Sequence, residues 1–449
     1  MQLLLSKVAE ILGCEAPEYD VMLTGAVIDS RKVEAANLFV ALKGEKVDGH
    51  NYIETARLAG AGAALVTEAQ PDDLAQLVVD DVVAAFAQIA KYWQQQCKAK
   101  LVAITGSNGK TTVKEMVASV LSQCGSVIAT QGNLNNELGV PLTLCRLELE
   151  TDFAVIEMGA NHPGEIARLV DMASPIVSLI NNVSEAHLEG FESIEGVAAA
   201  KGEILAGLGA EGVGIVNADM PFISDWKQVL TNKKMLTFSL DSDADMVASD
   251  MQLDPQSSHF MVKRDGEYQY INLPLPGRHN VANALAAITV AHVLDIPSEA
   301  IAKGLAEMKG VPHRLQLRKG LNQSRLIDDS YNANPGSYQR ALEVLTSFNG
   351  QHWLVLGDFG ELGNDVEKIH VNMGLEAKKA GVDRMWTVGK YTQLSTNAFG
   401  DKAEHFNCVA DMQAQLKEAL TDDVTCLIKG SRFMQLDKLA DQLVIEGES

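Results

Sequence analysis

The segment Thr105-Gly-Ser-Asn-Gly-Lys-Thr-Thr112 has the residue types and spacing of a phosphate holder. Its glycines let backbone amides close around anionic oxygens; Lys110 can reach β- and γ-phosphates, and Thr111 offers a hydroxyl to Mg²⁺. The pattern G-x-x-x-x-G-K-T fails strictly, because Ile104 stands where its first glycine would be. Gly106 supplies the turn instead, in a shorter loop. Gly106, Asn108, Gly109, Lys110, Thr111 and Thr112 are the candidate ATP-binding residues. The plain alternative is a Gly-rich turn with no ligand. Gly, Lys and two Thr in register behind a strand weigh against it.

Other groups carry weaker signals alone. Glu157 ends the apolar run Ala154-Val-Ile-Glu157, and a carboxylate at a strand end beside a phosphate loop is where a Mg²⁺ ligand sits. His187 follows another strand, although a lone His is usually structural. Lys201 lies among small residues, Ala198-Ala-Ala-Lys-Gly-Glu203, and by itself reads as an ordinary surface lysine. Asp328-Asp-Ser-Tyr-Asn-Ala-Asn-Pro335 is dense in polar groups, as a turn would be. Lys429-Gly-Ser-Arg432 also follows a strand, and Arg314 sits behind Pro312 and His313 at a hinge.

The elements that must position these groups alternate. Residues 101–105 form a continuous apolar strand, and Val113, Met116, Val117, Val120 and Leu121 mark one face of the helix that follows. Strands are expected at 153–157, 176–180 and 213–216, with an Ala-rich helix at 280–294. This βαβ alternation predicts a parallel sheet covered by helices. Before it, residues 1–80 mix short elements: a strand end and turn at 26–31, a strand at 37–42, a helix at 51–59, and a boundary near Pro71. From 311 the pattern restarts, with strands at 325–328, 353–356, 384–388 and 425–428. The expected fold is therefore α/β in three domains: 1–82, a central P-loop ATPase domain at 83–311, and a Rossmann-like domain at 312–449.

With 449 residues, three domains fit a prior of about 150 residues each. The charge sum is 37 − 59 = −22, which argues against nucleic-acid or membrane-surface partners, both polyanionic. No run of about 18 apolar residues exists, so no membrane insertion is expected. The apolar residues of 1–20 fall at helical spacing and are broken by Lys7 and Glu10, unlike a signal peptide. Six cysteines far apart read as reduced, mostly buried thiols of a cytoplasmic protein, with no zinc site.

Together these pieces resemble the Mur ligases, ATP-dependent amide-forming enzymes of peptidoglycan precursor synthesis. The resemblance covers all three segments through Thr105 to Thr112, Glu157, His187, Lys201, Asn280 with Asn283, Arg314, and Asp328 with Tyr331. It implies ATP and Mg²⁺ as cofactors. It also implies that Lys201 is carbamylated and helps His187 hold a second Mg²⁺. Asn283, Arg314, Asp328 and Tyr331 would contact the nucleotide, and the region of Ser30 and Arg31 the UDP end of the substrate.

Within the family, Gly132-Asn-Leu-Asn-Asn-Glu-Leu-Gly-Val-Pro141, Asp328 to Ser337, Leu356 to Gly363 and Lys429 to Arg432 resemble the branch that joins D-Ala-D-Ala to UDP-MurNAc-tripeptide. Asn135, Asn136, Glu137 and Lys429 are its candidate substrate residues. Phe359 departs from the usual Met there. The sibling branch that adds a diamino acid to UDP-MurNAc-dipeptide usually carries Asp-Asn-Pro-Arg, which is absent. A folate polyglutamate ligase would not account for 135–137, and a GTPase would need Asn-Lys-x-Asp, also absent. The expected enzyme is a cytoplasmic monomer.

Overall fold

Three larger sheets and one antiparallel pair, Leu3–Leu4 with Met22–Leu23, organise the computed structural model, which describes residues 1–15, 18–184, 188–264 and 266–445. In the first sheet, Ala26–Val27, Leu38–Val40, Ala63–Val66 and Gln76–Val78 pair in that order, all parallel. The turn at Pro71 is therefore internal to this sheet, because Gln76–Val78 joins it afterwards. The helix Leu5–Leu12 buries Leu5, Val8 and Ala9.

The second sheet runs Val127–Ala129, Phe153–Glu157, Lys100–Thr105, Val177–Ile180, Val213–Asn217, Lys234–Ser239 and Met246–Leu253, all parallel. It ends in two antiparallel strands, Ser258–Arg264 and Glu267–Leu273. Leu101 to Ile104 are buried throughout, as a strand covered by helices on both faces must be. Strands add on both sides of Lys100–Thr105, so the order reverses there and leaves a crevice at the strands' carboxyl ends. The register sets Ile104 opposite Glu157 and Thr105 opposite Ile180.

The third sheet has the order Gln316–Lys319, Arg325–Asp329, Val424–Lys429, Gln351–Gly357, Arg384–Val388, Ala403–Phe406. Only its first strand is antiparallel. Its two faces hold separate cores, one through Leu326, Trp353 and Ile428, the other through Ile327, Leu354 and Leu427. The first two units each have a core of their own, through Phe39 and Val66 and through Val102 and Ile104, and in addition share one. The helix Val82–Gln96 lies in their seam, with Val82, Phe86, Ile89 and Trp93 packed among residues of both.

All six cysteines are free. Only Cys145 and Cys426 are buried, whereas Cys124 and Cys408 are exposed, which corrects the expectation of mostly buried thiols. Both exposed ones sit at helix ends, Cys124 beyond Lys110–Leu121 and Cys408 at the N-cap of Val409–Ala419. Among the described residues, no helix is long and apolar enough to cross a membrane.

Candidate active site

The phosphate loop turns at the end of Lys100–Thr105 and opens the helix Lys110–Leu121. Gly109 is its N-cap, left-handed at φ 75°. A Cβ there would stand 2.7 Å from Asn283 Oδ1 and 2.8 Å from Asn181 Nδ2, so glycine is required twice over. The neighbouring strand end fixes the loop. Asn108 N–H donates to Asn182 Oδ1 at 2.8 Å, and the Asn181 and Asn182 amides donate to Asn108 O. Lys110 Nζ–H donates to Gly106 O at 2.7 Å. Burial lowers its pKa; Glu157 acts to raise it and Arg314 to lower it further.

Glu157 is 2% exposed. Thr111 Oγ1–H donates to its Oε2 and Asn135 Nδ2–H to its Oε1, each at 2.9 Å. No cation among the described residues lies within ion-pair distance of this buried carboxylate, whose donors are all neutral. A buried carboxylate held only by neutral donors, with a threonine hydroxyl beside it, is a donor set that fits a metal ion held by Thr111 and Glu157.

Lys201, on the helix Ile194–Ala206, is 3% exposed, not the surface lysine its neighbours suggest. Among the described residues its amine has no hydrogen-bond or carboxylate partner. Burial, with help from Lys110, brings its pKa from 10.5 down to about 7. A large fraction is therefore a neutral amine near physiological pH, the form that can add CO₂. His187 lies outside the described residues.

The phosphate loop faces a cleft of about 400 Å³ between the second and third units. Asn108 to Thr112, Asn283 and Arg314 line it, as does Lys429 from the third sheet. Asn283 accepts from Asn181 Nδ2 at 2.9 Å and donates to Asn280 Oδ1 at 3.2 Å. The Arg314 guanidinium lies 4.2 Å over the Tyr331 ring, and Arg432 covers it at 5.6 Å. Lys429 is fully buried and ion-paired with Asp329; burial lowers its pKa and Asp329 acts to raise it. Asn334 caps the helix Pro335–Leu345 through Ser337 N, and its Nδ2–H donates across the cleft to Asn108 Oδ1 at 2.8 Å.

Other candidates lie away from this cleft. Asp328 is 0% exposed and accepts from Arg318, Ser330 and the His313 ring, so it orders the hinge while Asp329 faces the cleft. Ser30 is buried in a 3₁₀ turn of the first unit. The Arg31 side chain is 86% exposed and paired with Asp29. Asn136 caps Gly139–Leu144 by accepting from Gly139 N at 3.0 Å. Glu137 lines a separate groove with Asp81, Lys91 and Arg168. Phe359 is a core residue, 5.9 Å edge-on to Tyr338.

Residue-by-residue reading missed Asn181 and Asn182, Asp329, Asn334 and the pair His279 and Arg340, all lining the cleft. A signal existed for the first two, since they follow a strand adjacent to the phosphate loop at the sheet's reversal point. The choice between Asp328 and Asp329 rests on strand parity, which sequence alone leaves open.

A phosphate loop at the reversal point of one sheet, faced by basic and amide groups from a second α/β unit, defines a nucleotide-dependent enzyme that works between domains. Comparison with known proteins agrees over the whole chain. Family profiles described as "Mur ligase family, catalytic domain", "Mur ligase middle domain" and "Mur ligase, glutamate ligase domain" match residues 23–104, 104–291 and 313–432. The UDP-N-acetylmuramoyl-tripeptide–D-alanyl-D-alanine ligase of Escherichia coli is 43% identical, over 99% of this chain and 98% of its own. The crystal structure of MurF from Acinetobacter baumannii superposes with TM-score 0.91 at 33% identity, covering 99% of both chains. MurF from Thermotoga maritima, solved in complex with ADP, gives 0.83 at 26% identity, over 93% of this chain and 96% of that one. The chain belongs to the Mur ligase family.

Proposed function

We propose that this enzyme joins D-Ala-D-Ala to UDP-MurNAc-tripeptide with ATP, forming ADP and phosphate, as the names of its relatives describe for them. The observation that carries the reading is the composition of one cleft. Phosphate-binding groups of the central unit face Lys429, Asn332 and Asn334 of the C-terminal unit across it. Both anions of the first step, ATP and the tripeptide's terminal carboxylate, need such a space.

In the reaction, the carboxylate oxygen attacks the γ-phosphorus and ADP leaves, giving an acyl phosphate. The neutral amine of D-Ala-D-Ala then attacks the acyl carbon, and phosphate leaves. The chain's own task is positioning and charge neutralisation. Lys110 swings from Gly106 O to the β- and γ-phosphates. Thr111 and Glu157 would hold Mg²⁺, and His187 with a carbamylated Lys201 would hold a second ion; bound there, Mg²⁺ would supply charge neutralisation between two anions. The C-terminal unit covers the cleft and keeps water from the acyl phosphate. Asn283, Arg314 and Tyr331 serve the nucleotide, with Asp328 ordering the hinge behind them. Ser30 and Arg31 serve the UDP end, and Asn135 and Lys429 the peptide substrates, while Asn136 and Glu137, a helix cap and a residue of a separate groove, act outside the cleft. A reaction consuming ATP and a UDP-linked precursor belongs in the cytoplasm, and a single chain contains the whole cleft, so the enzyme works as a monomer.

The test is phosphate release from ATP with UDP-MurNAc-tripeptide, with and without D-Ala-D-Ala. Release that requires the dipeptide, with its addition visible by mass, is the expected result. Release indifferent to the dipeptide would make the protein an ATPase of another kind.

A further inference from the structure

The helix Pro335–Leu345 bridges two landmarks of the cleft. At its start, Asn334 bonds Asn108 of the phosphate loop at 2.8 Å. Near its end, Val344 abuts the segment that opens the Asn283 helix: a Cβ on Gly277 would lie 3.4 Å from Val344 Cγ2. Arg340 lies one turn before Val344 on the same face, and six residues, about 9 Å, after Asn334. It lines the cleft beside His279. It thus shares the cleft with the phosphate loop and with Asn280 and Asn283.

The Arg340 guanidinium makes no hydrogen bond or ion pair among the described residues. Asp329 and Glu343 are the carboxylates that influence it, both beyond ion-pair distance, and Asp329 is engaged by Lys429. Burial lowers its pKa. Nearby His279 does not compete for an anion, since burial and then Arg340 push its pKa down to about 3 and leave it neutral. Four further cations, Lys110, Arg278, Arg314 and Lys429, line the same cleft, against two carboxylates, Asp329 and Glu343. A partly desolvated, unpaired cation among like charges is unfavourable in the empty cleft and becomes favourable only when an anion arrives.

We propose that Arg340 is a nucleotide-positioning residue whose guanidinium pairs with the α-phosphate of bound ATP. The proposal rests on reading the cleft as the ATP site. With the β- and γ-phosphates cradled by the phosphate loop, the α-phosphate is the remaining anionic group of ATP in the cleft that Arg340 lines. An arginine suits it, because two parallel N–H donors fit a phosphate edge.

The experiment titrates ADP and ATP, each with Mg²⁺, into the full chain and its Arg340→Ala and Arg340→Lys variants by calorimetry. Melting without nucleotide and KM for D-Ala-D-Ala are measured alongside. Arg340→Ala is expected to weaken ADP and ATP by the same factor, about tenfold, and Arg340→Lys by less. KM for D-Ala-D-Ala should stay within twofold, and the ligand-free melting temperature should hold or rise. Unchanged nucleotide affinity overturns the proposal. So does a loss confined to ATP, which would put the residue at the γ-phosphate, or one confined to D-Ala-D-Ala, which would make the anion a carboxylate. A lowered ligand-free melting temperature in both variants would make the role structural and also overturn it. If the unaltered chain binds no ADP, the ATP reading itself fails, whatever the variants do.

Discussion

Among the described residues, the buried amine of Lys201 has nothing to pair with, and that costs the fold. The drop from 10.5 to about 7 means the charged form is disfavoured by roughly 5 kcal/mol in the native state, at about 1.4 kcal/mol per unit. The sign follows from proton uptake. Between the two values the unfolded chain binds the extra proton, so the penalty is full below pH 7 and fades as pH rises toward 10.5. Lys201→Met should therefore raise the melting temperature in bicarbonate-free buffer, more at pH 6 than at pH 9, while abolishing ligase activity. Small carboxylic acids should partly restore turnover in Lys201→Ala by supplying the missing anion. A variant that melts lower and still turns over normally would return Lys201 to a packing role. Sequence gave a misleading picture here, since short neighbours suggest a surface lysine. Only tertiary packing, which buries its face of the helix Ile194–Ala206 and brings it near Lys110, removes it from water.

At the scale of elements, the phosphate-loop turn depends on a backbone that few residues can adopt. Gly109→Ala would impose a left-handed conformation on alanine, costing roughly 1–2 kcal/mol, and press its Cβ onto Asn283 and Asn181. We expect a melting temperature lower by several degrees and nucleotide affinity lowered at least tenfold, read by thermal denaturation and ADP titration. Wild-type affinity would mean the loop does not grip phosphate through this turn. Glu157 is positioned by a comparable relay. Its own N–H donates to Thr130 Oγ1, and buried Lys114 donates to Thr130 O at 2.7 Å. The strand–loop–helix unit was legible because continuous apolar runs mark strands buried on both faces. The strands Met246–Leu253, Ser258–Arg264 and Glu267–Leu273 were not. Ser258–Arg264 sets buried Ser258, Phe260 and Val262 against less buried His259, Met261 and Lys263, Met246–Leu253 buries only Met246, and none of the three has the apolar run of a buried parallel strand.

For the whole molecule, the question is which amine the cleft accepts. A pocket fitted to a dipeptide leaves the second charged end of a free diamino acid unpaired, and an unpaired buried charge costs several kcal/mol. At about 1.4 kcal/mol per tenfold, discrimination of roughly a thousandfold follows. A competition assay would offer the dipeptide and tripeptide precursors together with D-Ala-D-Ala, meso-diaminopimelate and L-lysine, read by mass spectrometry. D-Ala-D-Ala on the tripeptide should dominate; efficient extension of the dipeptide precursor by either diamino acid would assign the chain to the sibling activity. Motif spacing revealed each half of this site, but not how the halves meet. The contact between Asn334 and Asn108 joins residues 226 positions apart, beyond the reach of any local pattern.

The core shared by the first two units makes them one body in a sense their sheets conceal. Leu38 and Val40 of one sheet and Leu101 and Ala103 of the other belong to a single buried cluster, through the seam helix Val82–Gln96. Neither sheet can open without exposing the other's apolar side chains to water, so their amides should exchange with deuterium through one common opening event. The strands Val424–Lys429 and Gln351–Gly357, with cores of their own, should exchange through another. Native-state exchange read by mass spectrometry across a shallow urea series should therefore give two isotherms for three sheets. The N-terminal unit would then act as a fixed extension of the ATP-binding floor, leaving the C-terminal unit as the part free to move between rounds of synthesis.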